Sequence, residues 1–363
     1  MPIPHPPLPA ALEDAAFHLL EGGADRLAVY LSVPPGDLPR RSRPVLLVHS
    51  VNAAASAAEV RPLFDAMKDD GLVCALDLPG FGHSLASSVP LEGSTGQGGS
   101  AESGAAGRQT PLAGAPARLE RRYTVRQMTD AVATAARWLS QREGGAPVRV
   151  IGVSLGCEFV ARAAVEHPAL FADLTLVSPT GLRGGQRLRG PSGSTRYVAL
   201  ADRVIRGPGW GAFLFRQLTR PSVIRYFLRR TWGSREIDEV LWAYACLTAR
   251  QPGAEHAPLS FLSAALFSAD IHDVYEDVRA PVLVVHGTRG DFTDYRGLPL
   301  PGVQRPWQVH VMQGTGALPY FERLPEFLSV WRDFVQAVDT SSCGAEASDP
   351  PLGSTGHAAT IHE

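Results

Sequence analysis

Ser154 stands between two glycines in Gly152-Val153-Ser154-Leu155-Gly156, directly after the apolar run Val148-Arg149-Val150-Ile151 and before a helical pattern carrying Phe159, Val160, Ala163 and Ala164. A serine at a strand-to-helix turn can attack an acyl carbon, because flanking glycines permit the strained bend that lifts its hydroxyl above a sheet. An alcohol is a weak nucleophile. The chemistry therefore also needs a base, an acid to orient that base, and donors for the developing oxyanion.

Four further blocks sit after apolar runs. His49-Ser50-Val51-Asn52 follows Pro44-Val45-Leu46-Leu47-Val48, and Asp77-Leu78-Pro79-Gly80-Phe81-Gly82-His83-Ser84 follows Val73-Cys74-Ala75-Leu76. His286-Gly287-Thr288-Arg289-Gly290-Asp291 follows Pro281-Val282-Leu283-Val284-Val285, and Gly314-Thr315-Gly316-Ala317-Leu318-Pro319-Tyr320-Phe321-Glu322 follows Trp307-Gln308-Val309-His310-Val311. Together with the Ser154 turn, these blocks resemble the α/β-hydrolase superfamily, its serine-nucleophile branch with a helical cap. The resemblance runs over about 27 to 338, leaving out a biased insertion. A serine in the turn argues against the dehalogenase and epoxide-hydrolase branches, which use aspartate there.

The resemblance implies roles. The oxyanion donors would be the backbone N–H groups of Leu155 and Val51, with Ser50 departing from the family's usual glycine. The acid would be Asp291, four residues after Gly287 where the family usually has three, with Asp294 as second choice. The base belongs at Ala317, in a frame that otherwise reads Gly-x-Gly-His-x-Pro. Alanine can neither take nor give a proton, and losing one member of such a triad costs roughly 10⁴-fold or more in rate. His286, at a strand end beside the Asp291 loop, ranks first as a substitute, and His49 and His83 also sit at strand ends. His310 lies several residues before its strand end, too far away at about 3.3 Å per residue.

Glu158 falls one turn after Ser154, where it could orient a pocket or serve as a buried structural partner. Cys157 near the same helix start could have a lowered pKa, against plain burial beneath the bend. The four cysteines, Cys74, Cys157, Cys246 and Cys343, lack metal-ligand spacing and are expected to be structural thiols.

The apolar runs are nearly continuous, as in strands covered on both faces, and segments of helical period separate them, such as Val60, Leu63, Phe64, Met67 and Val125, Met128, Val132, Ala135, Leu139. This alternation predicts an α/β fold with a doubly wound, mostly parallel sheet, whose ligands bind beyond the carboxyl ends of the strands. The core is expected over 19–181 and 279–338, with 86–118 a disordered insertion rich in Gly, Ser, Ala and Pro, and 1–18 and 339–363 flexible tails. Over 182–278 helical patterns replace strands, which predicts a cap roofing the site. Its Arg225, Arg229, Arg230, Trp232, Trp242 and Tyr244 could line an entrance or belong to a solvated face.

The 363 residues are 45% hydrophobic, enough for one large core, and the formal net charge is −2, so no global field favours nucleic acid or an anionic membrane. The opening residues lack a basic start and apolar run, and no later run approaches bilayer length, so a cytoplasmic location without a membrane span is expected. No cofactor or metal is expected, and the partner is a small, partly apolar molecule. The expected function is hydrolysis of an ester, thioester or similar acyl bond by Ser154 with a departed or substituted base. The alternative is a non-hydrolytic small-molecule-binding protein or cofactor-free lyase; a protein-interaction scaffold using the cap is a third reading.

Overall fold

A computed structural model of the chain describes residues 7–22, 25–33, 43–85, 121–184, 187–207, 210–291, 294–300, 302–303 and 307–346. The expected insertion 86–118 lies outside the described residues, as does the stretch from 347 onward.

The chain folds around one eight-stranded sheet: β1 (Ala15–Gly22), β2 (Asp25–Ser32), β3 (Val45–Val48), β4 (Val73–Leu76), β5 (Val148–Val153), β6 (Phe171–Val177), β7 (Val282–Gly287) and β8 (Gln308–Met312). Their spatial order is β1-β2-β4-β3-β5-β6-β7-β8. β2 pairs antiparallel with both β1 and β4, and every other pairing is parallel. The inner strands β3 to β7 are mostly apolar because alternate side chains enter two separate cores, and the charged exceptions Arg149 on β5 and Asp173 on β6 pair with each other at 2.7 Å. On β5, Val148 and Val150 join the core beneath α2 (Val125–Arg142) and α3 (Gly156–Glu166). Ile151 and Val153 join the opposite core beneath α1 (Arg61–Met67) and α11 (Leu324–Glu346). α2 begins at a capping box, in which the Thr124 hydroxyl accepts from the Gln127 N–H and the Gln127 side chain accepts from the Thr124 N–H.

Between β6 and β7 the described residues form six helices: α4 (Ala199–Ile205), α5 (Trp210–Leu218), α6 (Pro221–Trp232), α7 (Glu239–Thr248), α8 (His256–Leu262) and α9 (Ile271–Asp277). A four-residue turn, α10 (Pro319–Glu322), precedes α11.

Both expected tails need correction. Residues 15–18 belong to β1, Leu12 is buried, and the Tyr244 hydroxyl donates to the Pro9 carbonyl oxygen at 2.9 Å. At the other end α11 continues to Glu346, and Asp339 accepts from the buried Arg149 at 2.5 Å. Neither strand of the β1–β2 hairpin was among the expected apolar runs: β1 is an edge strand with Phe17 and Leu19 turned to solvent, whereas β2 is an inner strand with the buried run Leu27-Ala28-Val29-Tyr30.

Candidate active site

β5 ends at Val153 and α3 begins at Gly156, so the chain must reverse within two residues. Ser154 does this in the left-handed region, with φ of 52°. A side-chain-bearing residue pays steric strain there, and such strain persists only where the surroundings over-determine it. They do so here: the Ser154 N–H extends the ladder to the Val177 carbonyl oxygen at 2.8 Å, and the Ser154 carbonyl accepts from the Cys157 N–H at 3.1 Å. Gly156 is obligatory, since a Cβ there would stand 2.5 Å from the His49 carbonyl oxygen. That close approach presses the start of α3 against the loop that follows β3, bringing Leu155 and Val51 to the same end of the sheet.

The loop after β3 is held from within. Glu59, buried in an otherwise apolar turn, accepts from the Ser50 N–H at 2.9 Å and from Asn52 Nδ2 at 2.6 Å, while Asn52 Oδ1 accepts from the Ala54 N–H at 2.8 Å. Among the described residues neither the Val51 nor the Leu155 N–H has a hydrogen-bond partner. Two unpaired donors beside a strained serine could hold an oxyanion.

His49 is fully buried, and both its nitrogens are engaged. Nε2 accepts from the Leu78 N–H at 3.0 Å, which leaves Nδ1–H to donate to the Ser50 carbonyl oxygen at 2.5 Å. His83 is likewise spoken for, between the Tyr30 hydroxyl at 2.7 Å and the Leu8 carbonyl oxygen at 3.1 Å. Asp77 organises this second loop, accepting from the Ala57 and His83 N–H groups and from the Tyr30 hydroxyl.

His286, expected as the substitute base, is not brought to Ser154. Its Nδ1–H donates to the Gly287 carbonyl oxygen at 2.9 Å and its ring stacks on Tyr295 with centroids 3.9 Å apart. Burial lowers its pKa, with the Gly287 hydrogen bond acting the other way, so the ring is neutral near pH 7. Register places His286 two strands from Ser154, roughly 10 Å at the usual strand spacing, and on the Val284 face of β7. His310 lies by Glu326, 3.5 Å away on the far edge of the sheet. Among the described residues no side chain hydrogen-bonds to the Ser154 hydroxyl.

Asp291, expected as the acid, is also placed elsewhere. It is exposed, and its carboxylate pairs with Arg230 of α6 at 2.5 Å. Asp294 is held by Arg296 at 2.8 Å, which lowers its pKa. Neither carboxylate faces an imidazole among the described residues.

Around Ala317 the last turn of α6 closes on the loop. The Ala317 N–H donates to the Thr231 carbonyl oxygen at 3.0 Å, and a Cβ on Gly316 would lie 2.7 Å from the Trp232 backbone. The Trp232 ring is buried edge-on to Phe321, and Arg289 donates to the Trp232 carbonyl oxygen at 2.9 Å while pairing with Glu322. Sequence reasoning missed Glu59 and Arg289. The signal for Glu59 was a lone acid in an apolar stretch; Arg289 had none, because its partners come from two distant segments, Trp232 of the cap and the stretch Gly314 to Glu322.

Glu158 is fully buried behind the bend. It accepts from the Thr180 hydroxyl at 2.5 Å and the Ser268 N–H at 2.9 Å, joining α3 to both ends of the cap. Desolvation pushes its pKa up to about 7, against the lowering effect of those two donors. Cys157 is raised well above the ordinary thiol value by burial, which removes the alternative of a lowered pKa. Cys74, Cys157 and Cys246 are free and buried.

Of the cap residues singled out, Trp232 and Tyr244 are buried, Arg225 pairs with Glu239 at 2.6 Å over the Trp242 ring, and Arg229 is exposed. A small recess lies between the cap and the loop after β3, bordered by Ala53, Ala54, Phe81, Thr248 and Ala249. A larger cleft of about 310 Å³, lined by Val45, Val73, Arg149 and Trp331, opens at the amino ends of the strands. It is remote from Ser154 and from the strand ends where such sheets bind ligands.

No helix among the described residues is long and apolar enough to cross a membrane. No curated protein matches the sequence significantly. Among solved structures, the chain is similar to a membrane phospholipase A described as a bacterial virulence factor, at 18% identity and a TM-score of 0.60, covering 90% of this chain and 87% of that one. It is similar to the 2-hydroxy-6-oxo-6-phenylhexa-2,4-dienoate hydrolase from Rhodococcus sp. strain RHA1, at 17% identity and a TM-score of 0.60, covering 88% and 100%. An N-acyl homoserine lactonase mutant complexed with N-hexanoyl homoserine gives 18% identity and a TM-score of 0.57 over 89% and 97%. At these identities the likeness concerns the fold. The pattern of the alpha/beta hydrolase fold matches residues 43–324, which carry the bend, both supporting loops and the cap, and the chain belongs to that family.

Proposed function

We propose that this chain is an acyl-bond hydrolase, acting on esters or thioesters, with Ser154 as nucleophile and the Leu155 and Val51 N–H groups as oxyanion donors. The observation that carries this reading is the conjunction of a left-handed Ser154, φ 52°, with two neighbouring N–H groups that lack partners. Strain of this kind is retained where it serves a site. The base position is vacant at Ala317, so Ser154 acts without an imidazole and reaction is slow, confined to acyl groups with good leaving groups. Oxyanion stabilisation and positioning alone support roughly 10³ to 10⁴-fold acceleration over water. The test is turnover of short p-nitrophenyl esters and acyl thioesters: slow hydrolysis abolished in Ser154→Ala supports the reading, and equal rates for both proteins oppose it.

Ala317 also favours a second reading, a non-hydrolytic binding protein or a cofactor-free lyase on the same fold. In that case wild-type protein and Ser154→Ala bind acyl compounds equally, and neither releases alcohol or thiol.

A further inference from the structure

The net charge of −2 conceals a local excess: residues 196–235 carry nine arginines, with Asp202 the one carboxylate. Arg206 is matched by Asp202, Arg225 by Glu239 and Arg230 by Asp291. Arg203, Arg216, Arg220, Arg229 and Arg235 are exposed and have no carboxylate partner among the described residues. The same helices hold large apolar side chains in water: Leu200, Val204, Trp210, Phe213, Tyr226 and Phe227 are 43–71% exposed. α4 packs against α5, and α5 against α6.

Cationic and apolar groups interleave on these helices. Leu200 has Arg203 three residues on, Phe213 has Arg216 at the same spacing, and Tyr226 has Arg229 and Arg230 three and four on, so each apolar group shares a helix face with a guanidinium. A monomer rarely leaves such groups in water without use. Interleaved arginines and Trp, Phe, Tyr and Leu match the boundary of an anionic bilayer, where rings enter the acyl margin while guanidinium groups meet lipid phosphates. A second copy of the chain would bring like charges together, and a nucleic-acid backbone would leave Leu200 and Val204 without a role.

We infer that the α4–α6 face of the cap docks the protein on membranes rich in anionic lipid, as a peripheral contact without a spanning helix. The inference does not depend on the acyl chemistry.

The experiment is co-sedimentation of the full chain with phosphatidylcholine vesicles, with and without one third phosphatidylglycerol, at low and high salt. The double variants Trp210→Ser/Phe213→Ser and Arg216→Gln/Arg220→Gln are run alongside, with circular dichroism to show that they fold. Expected are binding to the anionic vesicles, release by salt, and a loss of about tenfold or more in partitioning from either double variant. Absence of binding to anionic vesicles overturns the inference, as does binding that both folded variants retain. So does a wild-type dimer that the apolar variant converts to monomer, or an oligonucleotide complex lost in the same variants while vesicles are ignored.

Discussion

The backbone N–H of Ala317 donates to the Thr231 carbonyl oxygen 3.0 Å away, joining the loop after the last strand to the final turn of a cap helix. The residue is almost fully enclosed, and the Trp232 backbone lies against its neighbour Gly316. A small side chain at 317 thus lets the cap seat directly on the loop. Ala317→His is expected to raise kcat for p-nitrophenyl butyrate at least about tenfold, because general-base catalysis contributes roughly 10²- to 10⁴-fold. It should also lower stability by about 1–3 kcal/mol, since the ring must force the seat open. Ester kinetics and urea unfolding on one preparation check both parts; no gain in kcat from a folded variant favours the non-hydrolytic reading.

His286 separates the vacant-base account from one in which another imidazole has taken over. Because its ring is committed to Gly287 and Tyr295, His286→Gln is expected to change ester turnover less than about threefold, against the roughly 10⁴-fold loss that removal of a working base produces. A loss of that larger size would identify His286 as the base.

Glu59 fixes the loop after β3 through two acceptor oxygens. Glu59→Ala leaves the buried Ser50 N–H unsatisfied, which costs about 1–3 kcal/mol, and releases the loop that presents Val51. Chemical denaturation should show that loss, with ester turnover falling by more than the unfolded fraction accounts for. Glu59→Gln, which keeps one acceptor, should lie between.

Gly156→Ala tests the contact between the start of α3 and the His49 carbonyl oxygen. A methyl 2.5 Å from that oxygen must displace backbone, so a stability loss of about 1–3 kcal/mol and reduced turnover are expected in thermal melts and ester assays. Wild-type values for both would show that the two loops are not in register.

Glu158 makes stability depend on pH. Its pKa is about 7 when folded against an ordinary 4.5, so the folded state holds the proton more tightly than the unfolded chain. The stabilisation belongs to the neutral acid: it is full below pH 4.5 and disappears as pH rises from there to about 7. At about 1.4 kcal/mol per unit this amounts to roughly 3 kcal/mol at most. Glu158→Gln should flatten that part of the profile, checked by urea unfolding at pH 5 and pH 8; parallel profiles would mean that Glu158 is ionised throughout.

The inner sheet was legible in the sequence because β3 to β7 are covered on both faces, and burial on both sides leaves mostly apolar runs, interrupted by few polar residues such as the paired Arg149 and Asp173. β1 alternates with solvent and left no such trace. The bend at Ser154 was legible because strand, glycine-flanked turn and helix are contiguous. The positions of Asp291 and His286 were not, because what holds each is remote or unpatterned: Arg230 lies 61 residues from Asp291, and Tyr295 reaches His286 from an irregular loop. The charge of the cap was hidden for a different reason, since a whole-chain sum cancels an arginine-rich surface against acids elsewhere.

Covalent labelling decides whether the Ser154 hydroxyl is a nucleophile. Intact protein is incubated with a fluorophosphonate probe and digested, and the peptide containing residue 154 is examined by mass spectrometry. A single adduct on Ser154 that forms slowly and is absent from Ser154→Ala is the expected result. An unmodified Ser154 at saturating probe, or equal labelling of the alanine variant, would overturn the assignment of Ser154 as nucleophile.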